Sequence, residues 1–347
     1  FITKRSFSQY LTVNIMKKNK AKFIATWIAV PVFIICFILD IITVVLGNFY
    51  VKRIEIYQEP FLQDTSSDRI HFLNTANSDC ILIESNGHFA LIDSGEGDNN
   101  PRKKYSHSGF ENTVIDYLNK VCKNKDGLIH LDFILGTHYH YDHVGAFHRI
   151  INERNIVIDK AYFKPFDKKL DKKYEITRWK TDEIASQIIN DLNNNKIELI
   201  SRIPEVLDFE DFSLYLFNTK NVSDLYGKGE NAGSIGIKVV KQQKSVFLAS
   251  DITASTGLED LVMDKIGKVD ILKAGHHGYF GSSSAKFLKK ISPDCVIVTN
   301  QLGKVYPNVK WNFTMSAHIP FFATYDHNGI IATFTDDNSI VLTDNIH

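Results

Sequence analysis

Residues 131–146 read LDFILGTHYHYDHVGA, and their reading decides the fold. The apolar run Leu131–Leu135 has the composition of a buried strand, and it breaks at Gly136 into four side chains able to bind metal: His138, His140, Asp142 and His143. Imidazole and carboxylate are the ligand types a borderline cation such as zinc prefers. In an extended segment residues two apart point the same way, so His138 and His140 face one ion while Asp142 and His143, past the bend, face a second. The spacing therefore predicts two metals. A lone histidine beside a strand is ordinarily a surface or core residue. Three histidines and an aspartate within six positions are costly to pack unless they hold something.

Outward from this stretch, the sequence alternates strands and helices. Residues 80–84 and 88–93 flank Asn86-Gly87, a hairpin turn signal, and the second run ends in DSGEG, which puts Asp93 at a strand tip. Residues 109–123 have helical spacing, with Val114, Ile115, Leu118, Val121 and Cys122 on one face. After the motif come a short helix at 146–154, a strand at 156–163, the charged loop KPFDKKLDKK, and a long helix at 174–194 with Ile176, Trp179, Ile184, Ile188, Ile189 and Leu192 inward. The second half repeats the alternation: strands at 212–217, 234–240 and 245–249, a helix at 255–266, a strand at 269–273, a helix at 283–291, a strand at 294–299 and a hairpin around Asn328-Gly329. FLASDIT places Asp251, and ILKAGHHGYFGSSS places His276 and His277, just beyond apolar runs, where sheet proteins put chemistry. Alone, each is a weak signal, since aspartates at strand ends commonly cap helices. The alternation by itself predicts an α/β or α+β fold.

A chain of 347 residues, 44% hydrophobic and 23% charged, can bury one large or two medium cores. Formal net charge is zero, but residues 1–53 hold eight Lys or Arg and only Asp40 as an acid, which leaves 32 basic against 39 acidic residues in the rest, a net of −7. That balance argues against a non-specific nucleic-acid binder, which needs a basic surface. Cys36, Cys80, Cys122 and Cys295 show no regular spacing and predict buried thiols, not a disulfide framework.

Met16, followed by KKNKAK, reads as a more natural start than Phe1. Phe23–Leu39 runs seventeen residues without a charge, and the apolar character resumes after Asp40 to Leu46, long enough for a short or tilted membrane-crossing helix. Lys17, Lys18, Lys20 and Lys22 precede it and only Lys52 and Arg53 closely follow, so the positive-inside rule puts the N-terminus in the cytoplasm. The run exceeds a signal-peptide core and no Ala-x-Ala site follows, which favours an uncleaved anchor. The expected layout is a cytoplasmic segment at 1–22, a transmembrane anchor at 23–47, a linker at 48–68 with a possible strand at 51–57, and a hydrolase domain at 69–347. The chain is then a single-pass cell-membrane protein with an extracellular catalytic domain.

The His-x-His-x-Asp-His pattern, with Asp251 and His276 following in order, resembles the metallo-β-lactamase superfamily. The resemblance implies a four-layer αββα sandwich and two divalent ions, zinc or manganese. His138 and His140 would bind the first, Asp142, His143 and His276 the second, with Asp251 between them. Asp93 matches the strand-tip aspartate that supports the cluster, orienting a ligand histidine. Asp142 and His277 are the candidates for direct catalytic work. His277 would donate a proton or hydrogen bond to the leaving or phosphoryl oxygen, and a merely structural second histidine is the competing reading. The sequence departs from many members in one respect: no histidine occurs between His148 and His276, so the first metal is expected to be open to a substrate oxygen. That gap, the GHHG segment and NAGS at 231–234 resemble a narrower branch, the hydrolase domain of DNA-uptake competence channel proteins and the surface phosphorylcholine esterases that trim teichoic acids.

The expected activity is phosphoester or phosphodiester hydrolysis, two metals lowering the pKa of a bridging water. A cell-surface phosphodiester or phosphorylcholine-like group is the preferred substrate, with Tyr162, Phe163, Phe166, Tyr174 and Trp179 offering aromatic faces to a quaternary ammonium, unless they simply pack the core. A nuclease acting on DNA at the membrane surface is the second reading, carried by the basic run Lys160, Lys164, Lys168, Lys169, Lys172, Lys173, Arg178 and Lys180. A non-catalytic anchored sensor or binding module is the third, disfavoured because the ligand set is intact.

Overall fold

The structure, a computed structural model, describes residues 27, 28, 30–42, 56–58 and 68–344. The chain falls into two units, Phe1–Tyr50 and Val51–His347. In the first, residues 27, 28 and 30–42 are helical, 30–42 forming α1, and Trp27, Phe33 and Phe37 are exposed. Among the described residues no helix is long and apolar enough to cross a membrane. The expected anchor at 23–47 lies partly outside the described residues, and the segment 1–22 wholly so.

In chain order the second unit opens with β1 (Tyr57–Gln58), β2 (Asp68–Phe72), β3 (Ile81–Ser85), β4 (His88–Ile92), α2 (Glu111–Val121), β5 (Ile129–Gly136), α3 (Tyr141–Val144), α4 (Phe147–Ile151) and β6 (Ile156–Phe163). A single π-turn at Glu175–Trp179, α5 (Thr181–Asn194) and β7 (Glu198–Ile200) follow. The second half carries β8 (Val206–Phe209), β9 (Phe212–Phe217), β10 (Gly236–Lys241), β11 (Lys244–Leu248), α6 (Leu258–Ile266), β12 (Ile271–Lys273), α7 (Ala285–Ile291), β13 (Cys295–Val298), α8 (Pro307–Trp311), β14 (Phe321–Ala323), β15 (Ile330–Phe334) and β16 (Ile340–Asp344). These strands build a nine-stranded sheet in the order β1-β16-β15-β2-β3-β4-β5-β6-β7 and a seven-stranded sheet in the order β14-β13-β12-β11-β10-β9-β8.

Strand alternation sorts the apolar side chains into layers. On β3, Ile81 and Ile83 join the core between the sheets while Leu82 faces α2, α4 and α5. On β11, Val246 and Leu248 point between the sheets while Phe247 faces α6, α7 and α8. Each fully buried Leu, Ile or Phe contributes about 1.5–3 kcal/mol, and three such clusters, one between the sheets and one beneath each set of helices, make a mixed α/β two-sheet sandwich of the αββα kind. The cysteines are free; Cys80, Cys122 and Cys295 are buried, but Cys36 is exposed.

The expected long helix at 174–194 is the main departure. Lys180 takes a left-handed conformation, φ 60°, and splits the segment into the π-turn and α5. In the turn the buried side chain is Glu175, while Ile176 and Trp179, expected inward, are half-buried. Sequence periodicity read the wrong face because an acid, not an apolar residue, has a partner inside.

The parallel pairings β4–β5–β6 in one sheet and β11–β12–β13 in the other align the carboxyl ends of these strands. Asp93, His138, Asp251, His276 and His277 all follow those ends. Ser250 Oγ donates to Thr137 Oγ1 at 2.7 Å, joining a loop of one sheet to a loop of the other.

Candidate metal centre

The motif strand β5 delivers its ligands through a tight exit. A Cβ on Gly136 would lie 2.1 Å from the Phe163 ring, and one on Gly275, at the exit of β12, would lie 2.2 Å from the Ile252 carbonyl. Glycine is what lets both chains turn so closely. Beyond these exits, groups drawn from four strand ends converge.

Asp251 sits at the centre, 1% exposed. Its Oδ1 lies 3.1 Å from His143 Nε2 and 3.5 Å from His277 Nε2, and its Oδ2 lies 3.6 Å from His138 Nε2 and 3.7 Å from His276 Nε2. His277 Nε2 is also 3.8 Å from Asp142 Oδ2. The side chains thus form overlapping sets, His138–His143–Asp251 and Asp142–His143–His277, whose ligating atoms lie within 4.8 Å of one another. Both oxygens of Asp251 and the Nε2 atoms of His138, His143 and His277 are buried without a hydrogen-bond partner. Each such group costs about 1–3 kcal/mol if left unsatisfied. Inward-facing imidazole nitrogens around a carboxylate are the donor set of a zinc, manganese or iron site, so the residues fit divalent cations.

The other faces of these side chains are satisfied. Asp93 Oδ2 accepts from His143 Nδ1 at 2.7 Å, and Thr137 donates its backbone N–H and its hydroxyl to Asp93, each at 2.8 Å. His277 Nδ1 lies 3.1 Å from Thr299 Oγ1 and 3.2 Å from Asp79 Oδ1, and Thr299 donates to Asp79 at 2.6 Å. Asp79 also pairs with Lys273, which is fully buried on β12 and donates to the Ser250 carbonyl at 3.1 Å. His138 Nδ1 faces Thr137 Oγ1 at 3.2 Å and Ser250 Oγ at 3.5 Å. A histidine held by Nδ1 presents Nε2 in a fixed direction, which is how outer partners tune a metal ligand.

Electrostatics follows the same plan. Burial would push the Asp251 carboxyl up, but the rings of His143, His276 and His277 outweigh it and hold the group well below the usual carboxylate range. Asp142 is held low against burial by Arg102 and the surrounding histidines. Burial drives His138 well below the ordinary imidazole value, leaving a lone pair for a cation.

Two expected positions differ. His140 lies beside His138, with ring centroids 4.9 Å apart, but its Nε2 faces Glu175 Oε1 at 3.0 Å. Of the adjacent histidines, His277 is fully buried within reach of Asp142, whereas the His276 side chain is 30% exposed and lines a cavity. Both have left-handed backbones, φ 47° and 51°, and this pair of unusual dihedrals sends the second ring inward where the motif order put the first. The sequence reading also passed over Asp79, Lys273, Thr299, Arg102 and Glu175. Signals existed for two: Asp79 abuts an apolar strand, and Lys273 interrupts one.

The cavity beside the cluster has a volume of about 220 Å³ and is lined by Arg102, His140, Asp142, Lys172, Tyr174, Trp179, Lys228, Asn231, Thr256, His276 and Phe280, among others. Arg102 pairs with Asp142 and its guanidinium lies over the Trp179 ring, 4.6 Å from the centroid.

A sandwich whose strand ends gather histidines and aspartates around unsatisfied inward nitrogens is that of a metallo-β-lactamase-fold hydrolase with possible metal-binding sites. The profile of the metallo-beta-lactamase superfamily matches residues 73–298, and the chain belongs to that superfamily. Among curated proteins it is similar to Recombination protein 2 of Haemophilus influenzae, 33% identical over 73 residues, which is 21% of this chain and 9% of that protein. The match fits the branch that the GHHG segment resembles. Among solved structures it is similar to the metallo-beta-lactamase fold protein YhfI from Bacillus subtilis, with 11% identity, TM-score 0.47 and coverage of 77% of this chain and 99% of that one. Igni18, a metallo hydrolase from the archaeon Ignicoccus hospitalis, gives 16%, 0.42, 78% and 99% respectively.

Proposed function

We propose that the protein is a metal-dependent phosphodiesterase or phosphoesterase. The observation that carries this is the juxtaposition of unsatisfied inward ligand atoms with a cavity whose wall bears Arg102, Lys172 and Lys228. His138, His140 and Asp251 would hold one divalent ion and Asp142, His143 and His277 the other, with Asp251 shared. Bound there, such a pair supplies Lewis acidity and activates water near neutral pH. The chain's own residues do the rest. Asp93 and Asp79 fix the tautomers of His143 and His277 by accepting from Nδ1. Arg102 and Lys228 present donors to phosphoryl oxygens, Arg102 through a planar fork held flat on Trp179. His276, on the cavity wall, donates to the departing oxygen, the role the sequence order gave to His277.

The substrate this wall favours is an anionic phosphodiester of a cell-surface polymer, recognised by its phosphate. A quaternary ammonium is less well served. Tyr162 and Phe163 are core residues, Phe166 packs on the core, and the Trp179 face carries Arg102. Hydrolysis of DNA is the second reading, supported by the stretch similar to Recombination protein 2. Against it, Lys164 of the basic run is buried, its Nζ donating to the Asn218 carbonyl. We also propose that 23–47 anchors the protein in the membrane with the domain from about residue 69 outside. The uncharged run and the exposed Trp27, Phe33 and Phe37 support this.

The test is a parallel assay of the full chain against a chromogenic phosphodiester, a chromogenic phosphorylcholine and single-stranded DNA, with metal content measured on the same sample. Phosphodiester turnover that chelation removes and zinc or manganese restores is the expected result. Two bound metals with no turnover of any phosphoester would sink the reading. Steep loss of DNA cleavage with salt, unmatched for the small diester, would favour the second.

A further inference from the structure

We propose that Glu175 is itself a metal ligand and completes, with His138, His140 and Asp251, the coordination of the first cation. The inference rests on the reading of the cluster as a metal centre.

Glu175 Oε1 lies 3.0 Å from His140 Nε2. Two donors bound to one ion at about 2.0–2.2 Å, at angles from octahedral to tetrahedral, sit about 3.0–3.4 Å apart. The pair therefore already has the spacing of adjacent ligands, as does His143 Nε2 with Asp251 Oδ1 at 3.1 Å. Glu175 is 2% exposed, and a carboxylate so placed is costly unless it meets a cation. The backbone amides of Lys172 and Glu230 donate to its two oxygens. Burial opposes ionisation here, yet His140 and these amides outweigh it and keep the carboxyl below its ordinary value.

The backbone is shaped to deliver this side chain. A regular helix through 174–194 would turn Ile176 and Trp179 inward. The π-turn at Glu175–Trp179, closed by left-handed Lys180, turns Glu175 in instead, and isolated π-turns recur at functional sites. The chain has no histidine between His148 and His276 to offer the first cation a third imidazole. Glu175 lies in that interval.

The competing role is positional: Glu175 holds His140 by its Nε2–H while Nδ1 meets the ion. Substitution by glutamine separates the two, because the amide oxygen still accepts from Nε2–H but no longer supplies an anionic ligand. In cobalt(II)-loaded full-length protein, Glu175→Gln is expected to shift the visible absorption bands and to weaken one of two metal equivalents by more than the about 10–100-fold that loss of an outer partner costs. Glu175→Asp, which keeps a carboxylate, is expected to retain the bands. A crystal structure of the zinc-loaded wild type is expected to place a Glu175 oxygen about 2.0–2.2 Å from the ion, and it decides the matter should either variant fail to fold. Unchanged bands and affinity in Glu175→Gln, or a Glu175 oxygen still on His140 Nε2 with Nδ1 at the metal, would overturn the inference. Wild type that takes up no metal defeats the metal-centre reading as well. Wild type with two ions and an indistinguishable Glu175→Gln defeats this inference alone.

Discussion

The two halves of the cluster are supported by different chemistry. His143 and His277 are each gripped at Nδ1 by a buried aspartate, Asp93 and Asp79, and Asp79 is locked in turn by Lys273 and Thr299. His138 leans on two hydroxyls, Thr137 and Ser250, and His140 reaches Glu175 on a π-turn between loops. Carboxylate-held imidazoles are stronger donors and more firmly oriented than hydroxyl-held ones. The difference teaches that one half is set by sheet ends and the other by a connecting loop, so the His143–His277 half should fill first and the His138–His140 half should respond to the loop.

The comparison can be broken most decisively at the residue common to both halves. Asp251→Ala is expected to abolish binding of at least one metal equivalent and to lower turnover by about 10³-fold or more, beyond the 10²–10³ that loss of one transition-state donor costs. Metal analysis that still finds two ions, with full activity, would leave neither half as described. Asp79→Asn strikes the sheet-end half alone. Metal affinity there should fall about 10–100-fold, and Lys273, left buried without its partner, should cost about 3–5 kcal/mol of stability in denaturant melts. Equal loss in both equivalents would erase the distinction.

The loop half should show its softness through Lys164. Its ammonium is buried, which pushes its pKa down to about 8. The folded state therefore binds fewer protons than the unfolded chain between about pH 8 and 10.5, so stability rises with pH across that window and the cost is fully present below pH 8. Between pH 7.5 and 10 the wild type should gain about 2 kcal/mol relative to Lys164→Met; parallel melting curves for the two proteins would refute this. The smallest effect is reserved for Ser250→Ala. Losing one neutral hydrogen bond, worth about 0.5–1.5 kcal/mol, should weaken the His138 equivalent by about 2- to 10-fold, less than Asp93→Asn weakens its neighbour.

Much of this centre was legible in the sequence, because the four side chains of the 138–143 motif and Asp251 follow directly from apolar strands whose ends position them. The choice between His276 and His277 was not. Two adjacent identical residues differ only in backbone dihedrals, and here both are left-handed. Glu175 was hidden by a helical pattern whose apolar members, Ile176 and Trp179, stayed half-buried, since nothing local announces a π-turn. Asp79 and Lys273 pair across 194 positions, and each looked like an ordinary strand residue until the other side of the pair was in place. Arg102 sits in a loop, where neither period nor motif marks it.

The consecutive left-handed residues at 276 and 277 also divide labour across a single peptide bond. One ring is turned to the interior and its neighbour to the open wall, so evolution or an engineer can exchange the tool at position 276, altering which departing groups are tolerated, without touching the ring that keeps the ions in place.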